Sequence, residues 1–125
     1  KEKPLALGVT VLTSFNQDDL YNIGINSKLS DQVLRLAETC LKAGLDGVIC
    51  SAHEITLLRE NFKSDLKLIV PGIRSDLQAK EDQKRVMRPK EALNLGADYL
   101  VIGRPITVDS DPAKAAGKIL KEIYE

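Results

Sequence analysis

The sequence has no tryptophan, one methionine, one histidine and two cysteines in 125 residues, and aromatic side chains make up 4% of it. So few aromatics leave nothing from which to build a base-stacking platform for single-stranded nucleic acid. Charge of one sign is lacking too: eighteen basic residues balance eighteen acidic ones. A formal charge of zero gives no support to a nucleic-acid or membrane-surface partner. Cys40 and Cys50 lack the spacing of a metal or redox motif. Both sit in apolar surroundings and are expected to be reduced core thiols of a cytoplasmic protein. No apolar run approaches the roughly 20 residues that span a bilayer. The opening KEKPLALGV lacks the form of a secretory leader.

What is present is a globular composition, 43% hydrophobic, of a length suited to one domain with a real core. Short apolar runs alternate with amphipathic ones. LALGVTVL (residues 5–12) reads as a strand buried on both faces. The stretch 27–47 reads as a helix with Ser30 as N-cap, Val33, Leu34, Ala37, Cys40 and Leu41 at helical spacing, and Gly44 as terminator. DGVICS is a second strand, and Ser51 with Glu54 has the spacing of a capping box opening a helix through Ile55, Leu57 and Leu58. LKLIVPG is a third strand. Pro89 opens the helix PKEALNLG, which Gly96 closes. DYLVIG is a fourth strand, and Asp111-Pro112 starts a last helix with Ala113, Ala116, Leu120 and Ile123 on one face. A faint internal repeat links KAGLDGVICSA to NLGADYLVIGRP.

This β-α order calls for a parallel sheet with right-handed crossovers. Two folds fit four βα units: a small open doubly wound sheet, or half of a TIM (β/α)8 barrel, which needs about 250 residues in full. In either, ligands meet the loops at the carboxyl ends of the strands. After strand one, Thr13 and Ser14 offer hydroxyls to a polar heterocycle, or simply to solvent. After strand two, His53 falls in a capped first turn, a poor place for catalysis. After strand three, Pro71-Gly72 leads into Arg74 and a long polar stretch containing Gln83; it reads either as a binding lid or as a solvated, self-paired charge run. After strand four, Gly103 lets the backbone approach an anion that Arg104 grips, or Arg104 merely ends the strand in water. Two glycine-then-arginine exits on neighbouring strands are more specific than either alone.

VPGIR (70–74), then EDQKRVMRPKEALNLGADYLVIGRPIT (81–107), with VTVLTS (9–14) near the start, closely resembles the orotidine 5′-phosphate decarboxylase family across essentially the whole chain. The resemblance implies strands five to eight of a (β/α)8 barrel, residues 1–125 forming its C-terminal half. It further implies a homodimer that uses no metal or cofactor. By the same resemblance Thr13 contacts the pyrimidine and Arg74 binds substrate. Gln83 is the lid amide between phosphate and base, Gly103 and Arg104 hold the phosphate, and Pro71 with Gly72 lines the same pocket. The implied ligands are orotidine 5′-phosphate and UMP.

One departure stands against these matches. The family carries an Asp-x-Lys-x-x-Asp run whose lysine protonates the carbanion at C6. DLKLIVP (65–71) has Asp-Leu-Lys and no second aspartate, and Lys67 precedes strand three, at the wrong end of a barrel. The expectation is therefore a chain that holds substrate and is inactive alone, lacking the N-terminal half. Such a half-barrel exposes two strand edges and an inner face, and is expected to be a remnant of a longer protein or to pair with a second copy. Competing readings are a non-catalytic nucleotide-binding or assembly module, and a related sugar-phosphate decarboxylase or epimerase.

Overall fold

Four short strands, β1 (Leu7–Val9), β2 (Gly47–Ile49), β3 (Lys67–Pro71) and β4 (Tyr99–Val101), pair in chain order into one parallel sheet. The computed structural model describes residues 3–74 and 87–125. A doubly wound sheet would reverse its strand order at a switch point. None occurs, so the arrangement is that of half a TIM barrel.

Between the strands run α1 (Gln17–Asn22), α2 (Leu29–Lys42), a 3-10 turn (Ala52–Glu54) leading into α3 (Ile55–Phe62), and α4 (Pro89–Leu95). After β4 come the short α5 (Arg104–Thr107) and α6 (Pro112–Tyr124). The core lies between these helices and one face of the sheet, where Val48, Leu68 and Val70 meet Val33, Ala37, Ile55, Leu58 and Ala92. Successive strand residues point to opposite faces. On the other face Val9, Ile49, Ile69 and Tyr99 stand in register as one row. That face is uncovered at both ends: Val9, Tyr99 and Val101 are each 51% exposed. The expectation of a first strand over 5–12 buried on both faces is thus corrected. Only residues 7–9 pair in the ladder, and Leu5, Val9 and Leu12 are exposed, at 48%, 51% and 55%.

Local rules placed many boundaries. Gly44 (φ 76°) and Gly96 (φ 114°) follow α2 and α4 in left-handed conformation. Pro89 is the first residue of α4, and Asp111 caps α6 by accepting from the Lys114 N–H at 3.0 Å. Ser51 and Glu54 form their capping box, the Ser51 N–H donating to Glu54 Oε2 at 2.8 Å.

Ser30 is not the α2 cap. The helix starts at Leu29, whose N–H donates to Gln17 Oε1 at 2.7 Å, so the acceptor comes from α1, twelve residues away. On α6 the buried residues are Ala115 and Ile119, not the expected Ala113, Ala116, Leu120 and Ile123. Of the expected face, Ala116, Leu120 and Ile123 instead border an open groove beside β4.

The repeat has a structural job. Asp46 N–H donates to the Ala6 carbonyl at 2.9 Å while its carboxylate accepts the Ala6 N–H at 2.7 Å. Asp98 repeats the pattern on Leu68, at 2.9 Å and 2.8 Å. Each aspartate therefore grips both polar groups of one residue at or just before the start of the neighbouring strand and fixes the register where two strands begin.

Candidate functional site

The carboxyl ends of β3 and β4 are neighbours because Pro71 stands opposite Val101. Both chains leave the sheet on glycine. Gly72 has φ 77°, a left-handed conformation that other residues adopt only with strain. Gly103 precedes α5, and a Cβ built on it would meet nothing within 4 Å. Packing against the described residues therefore does not demand glycine at 103, and the space above its backbone is open to them.

Ile73, 2% exposed, anchors the turn after Gly72 in the core and so displays Arg74 beside it. Arg104 is exposed as the first residue of α5. Among the described residues, neither guanidinium has a hydrogen-bond or ion-pair partner. Pro71 is half-buried as the last residue of β3. Gln83 lies outside the described residues. Thr13 is exposed in the turn between β1 and α1, separated from the β3–β4 exits by β2.

The other candidates resolve as structure. His53 is exposed in the 3-10 turn. Glu54 beside it is buried, which pushes its carboxyl up against the opposing hydrogen bond from the Ser51 N–H. Burial, reinforced by the neighbouring Glu54 charge, pushes the Cys50 thiol up to about 12. Such a thiol is no nucleophile at neutral pH. Cys40 packs over Gly8, where a Cβ would fall 2.2 Å from its Sγ. Lys67 is the first residue of β3, at the amino end, paired with Asp98 at 3.1 Å.

Sequence reasoning missed one arginine altogether. Arg59 on α3 donates through Nε and Nη2 to the Gly96 carbonyl at 2.8 and 2.6 Å. Its Nη1 donates to the carbonyls of Lys63 and Leu66 at 2.5 and 2.8 Å, and its Nη2 also meets Asp98 at 2.5 Å. The signal was the aspartate of the repeat, which at 98 is paired with Arg59 and Lys67.

The arrangement at the carboxyl edge thus presents two glycine backbones and two cations without a partner among the described residues. That chemistry suits an anion with several acceptor oxygens.

Residues 1–119 match the "Orotidine 5'-phosphate decarboxylase / HUMPS family". The orotidine 5′-phosphate decarboxylase of Coxiella burnetii (strain RSA 331 / Henzerling II) is 54% identical over 123 residues, covering 98% of this chain and 52% of that protein. That of Glaesserella parasuis serovar 5 is 51% identical over 123 residues, covering 98% and 54%. Among solved structures, orotidine 5′-phosphate decarboxylase from Lactobacillus acidophilus superposes with TM-score 0.82 at 39% identity, over 98% of this chain and 50% of that one. An uncharacterized conserved protein from Geobacillus kaustophilus gives TM-score 0.78 at 28% identity, over 98% and 50%. The chain spans about half the length of the relatives it matches.

Proposed function

This chain belongs to the orotidine 5′-phosphate decarboxylase / HUMPS family, and from that membership we propose that it is the C-terminal, phosphate- and pyrimidine-binding half of an orotidine 5′-phosphate decarboxylase. In this reading residues 1–125 are one half-barrel. Arg104, the Gly72 and Gly103 backbones and the Gln83 lid hold the phosphate, while Arg74 and Thr13 address the rest of the nucleotide. The observation that carries the reading is the pair of adjacent exits from β3 and β4, each a glycine followed by an arginine with no partner among the described residues.

The chemistry explains why such a half has value. Loss of CO2 from C6 of the pyrimidine leaves a carbanion with no internal electron sink, so the barrier is high. Binding energy from a remote, unreacting group lowers it when that group is gripped more tightly as the site closes. A phosphate dianion is such a group, and a lid that closes on it also excludes water. The proton for C6 and the carboxylates that crowd the leaving CO2 come from the Asp-x-Lys-x-x-Asp run, which this chain lacks. The other four βα units supply it, and this half by itself binds without turnover. The whole enzyme is a cytoplasmic homodimer.

A sugar-phosphate enzyme of the same fold would use the same glycines, but PGIR with DQKR favours the nucleotide. Calorimetric titration with UMP, uridine and ribose 5-phosphate tests the assignment. UMP is expected to bind and uridine to bind far more weakly, and Arg104→Ala is expected to weaken UMP by about 2 kcal/mol, some thirtyfold. Uridine binding as tightly as UMP, or ribose 5-phosphate alone being recognised, overturns the reading.

A further inference from the structure

We propose that Gln17 is a positioning residue: its side-chain amide clasps the two ends of the segment 17–29 together and so holds the Thr13 hydroxyl in place for the pyrimidine. The proposal rests on the nucleotide reading above and adds to it a residue that lies outside both glycine-arginine exits.

The clasp is two hydrogen bonds from one planar group. Gln17 Nε2 donates to the Ser27 carbonyl at 3.0 Å, and Gln17 Oε1 accepts the Leu29 N–H at 2.7 Å; both bonds are partly shielded from solvent. Between those ends the chain makes α1, turns back through Gly24 (φ 85°), and returns the Ile25 N–H to the Leu20 carbonyl at 2.9 Å. Ser27 Oγ adds a bond to Gln32 Oε1 at 3.3 Å. Compact surface loops of about 6–16 residues with their ends held together are frequent carriers of binding residues.

The segment depends on that amide for its orientation. α1 has six residues, too few to persist on helix propensity alone, and Leu20 is its one buried residue. A single apolar anchor leaves a short helix free to swivel about it. Lys28, at the N-cap of α2, makes no side-chain cap bond, so Gln17 is also what satisfies the Leu29 N–H. One donor and one acceptor, fixed relative to each other in the amide plane, remove the swivel.

No slack separates the clasp from Thr13. On the β1 side, the Thr10 N–H and Oγ1 both donate to the Ile49 carbonyl, at 3.3 and 3.1 Å, and Val11 is buried. The Phe15 N–H then donates to the Leu12 carbonyl at 2.9 Å, which makes Thr13 and Ser14 the central residues of a tight turn. Asn16 follows as the cap of α1: its Oδ1 accepts the Asp19 N–H at 3.0 Å while Asp19 Oδ2 accepts the Asn16 N–H at 2.8 Å. Gln17 is the next residue. The turn is therefore anchored to β2 at one end and, through Gln17, to the start of α2 at the other. The Thr13 hydroxyl is exposed and makes no hydrogen bond among the described residues. A donor held in this way reaches a ligand without an ordering cost at the moment of binding.

Calorimetric titration of the 125-residue chain with UMP reads the effect, and a double-substitution cycle shows what Gln17 acts through. Gln17→Ala is expected to weaken UMP at least about fivefold, and Thr13→Val to weaken it by a similar factor. Gln17→Ala added to Thr13→Val is expected to cost no further affinity, because the hydroxyl it aims is already gone. Losses that multiply in the double variant mark a general structural role and overturn the proposal. So does undiminished affinity in Gln17→Ala. A second measurement needs no ligand: NMR order parameters of the Thr13 and Ser14 amides are expected to fall from about 0.85 to below about 0.6 in Gln17→Ala, while those of Val48 and Leu68 stay high. Gln17→Glu keeps the acceptor that caps α2 and loses the donor to Ser27, so it is expected to loosen the turn without uncapping the helix. Unchanged order parameters in both variants overturn the clasp whatever UMP does. A parent chain that ignores UMP, with the turn loosened as expected in the variants, overturns the nucleotide reading and supports the clasp.

Discussion

The two ends of this sheet use arginine in opposite ways. At the amino end Arg59 makes five hydrogen bonds, to the carbonyls of Lys63, Leu66 and Gly96 and to Asp98, and is largely shielded from solvent. At the carboxyl end Arg74 and Arg104 make none among the described residues. The first cation finishes a structure; the donors of the second pair stay open among the described residues. The glycines divide likewise. Gly96 ends α4 with a Cβ position 3.0 Å from the Arg59 side chain, whereas Gly72 and Gly103 face open space.

If this division is right, the largest loss of stability comes from the amino end. Arg59→Ala strands three backbone carbonyls and the Asp98 carboxylate in partly buried positions, and should lower unfolding free energy by about 3 kcal/mol. Urea denaturation measures it. A loss below 1 kcal/mol would erase the contrast between the two ends.

The same cluster predicts a pH dependence. Burial by itself would raise the Asp98 carboxyl, but the hydrogen bonds from the Leu68 N–H, Lys67 and Arg59 outweigh it and hold the group below the usual carboxylate range. A carboxyl depressed in the folded state binds protons more readily when unfolded. Its contribution is therefore full above the unfolded value of about 3.9 and is lost as pH falls through the lower folded value. Asp98→Asn should flatten the acid limb of a stability-against-pH curve, and an unchanged limb would show that the acid loss arises elsewhere.

How much of this division was legible beforehand follows from the range of the interactions involved. Pro89, Gly96, Asp111 and the Ser51–Glu54 box act within one turn, so the chain read in order reveals them. The cap of α2 does not, because Gln17 reaches it from another helix, and α1 itself has Leu20 as its buried anchor in a polar segment. Strand positions were legible but their exposure was not, since β-rich sequence looks the same whether or not an opposite wall is present. Gly72, Arg74, Gly103 and Arg104 were singled out because each glycine-arginine exit is local. Arg59 was missed because its partners lie up to 39 residues away.

At the carboxyl end the next effect in size is conformational. Gly72→Ala forces a side chain into left-handed backbone at φ 77°, where a Cβ meets nothing. Strain alone is left, and should cost about 1–2 kcal/mol. A smaller loss, by thermal unfolding, would mean the turn relaxes to another conformation, and nucleotide affinity should then fall with it.

The smallest expected change in stability is at Gly103, and it separates the two ends most cleanly. Its φ of −101° is not left-handed, and an added methyl meets no described atom within 4 Å. Gly103→Ala should therefore leave the unfolding free energy within about 0.5 kcal/mol of the parent. If the backbone there is left bare so that a phosphate can approach, that same methyl occupies the anion's place and UMP binding should fall at least about tenfold. A stable variant with undiminished affinity would break the link between open backbone and ligand. A stable variant that no longer binds would show that glycine at 103 serves the bound anion and not the fold.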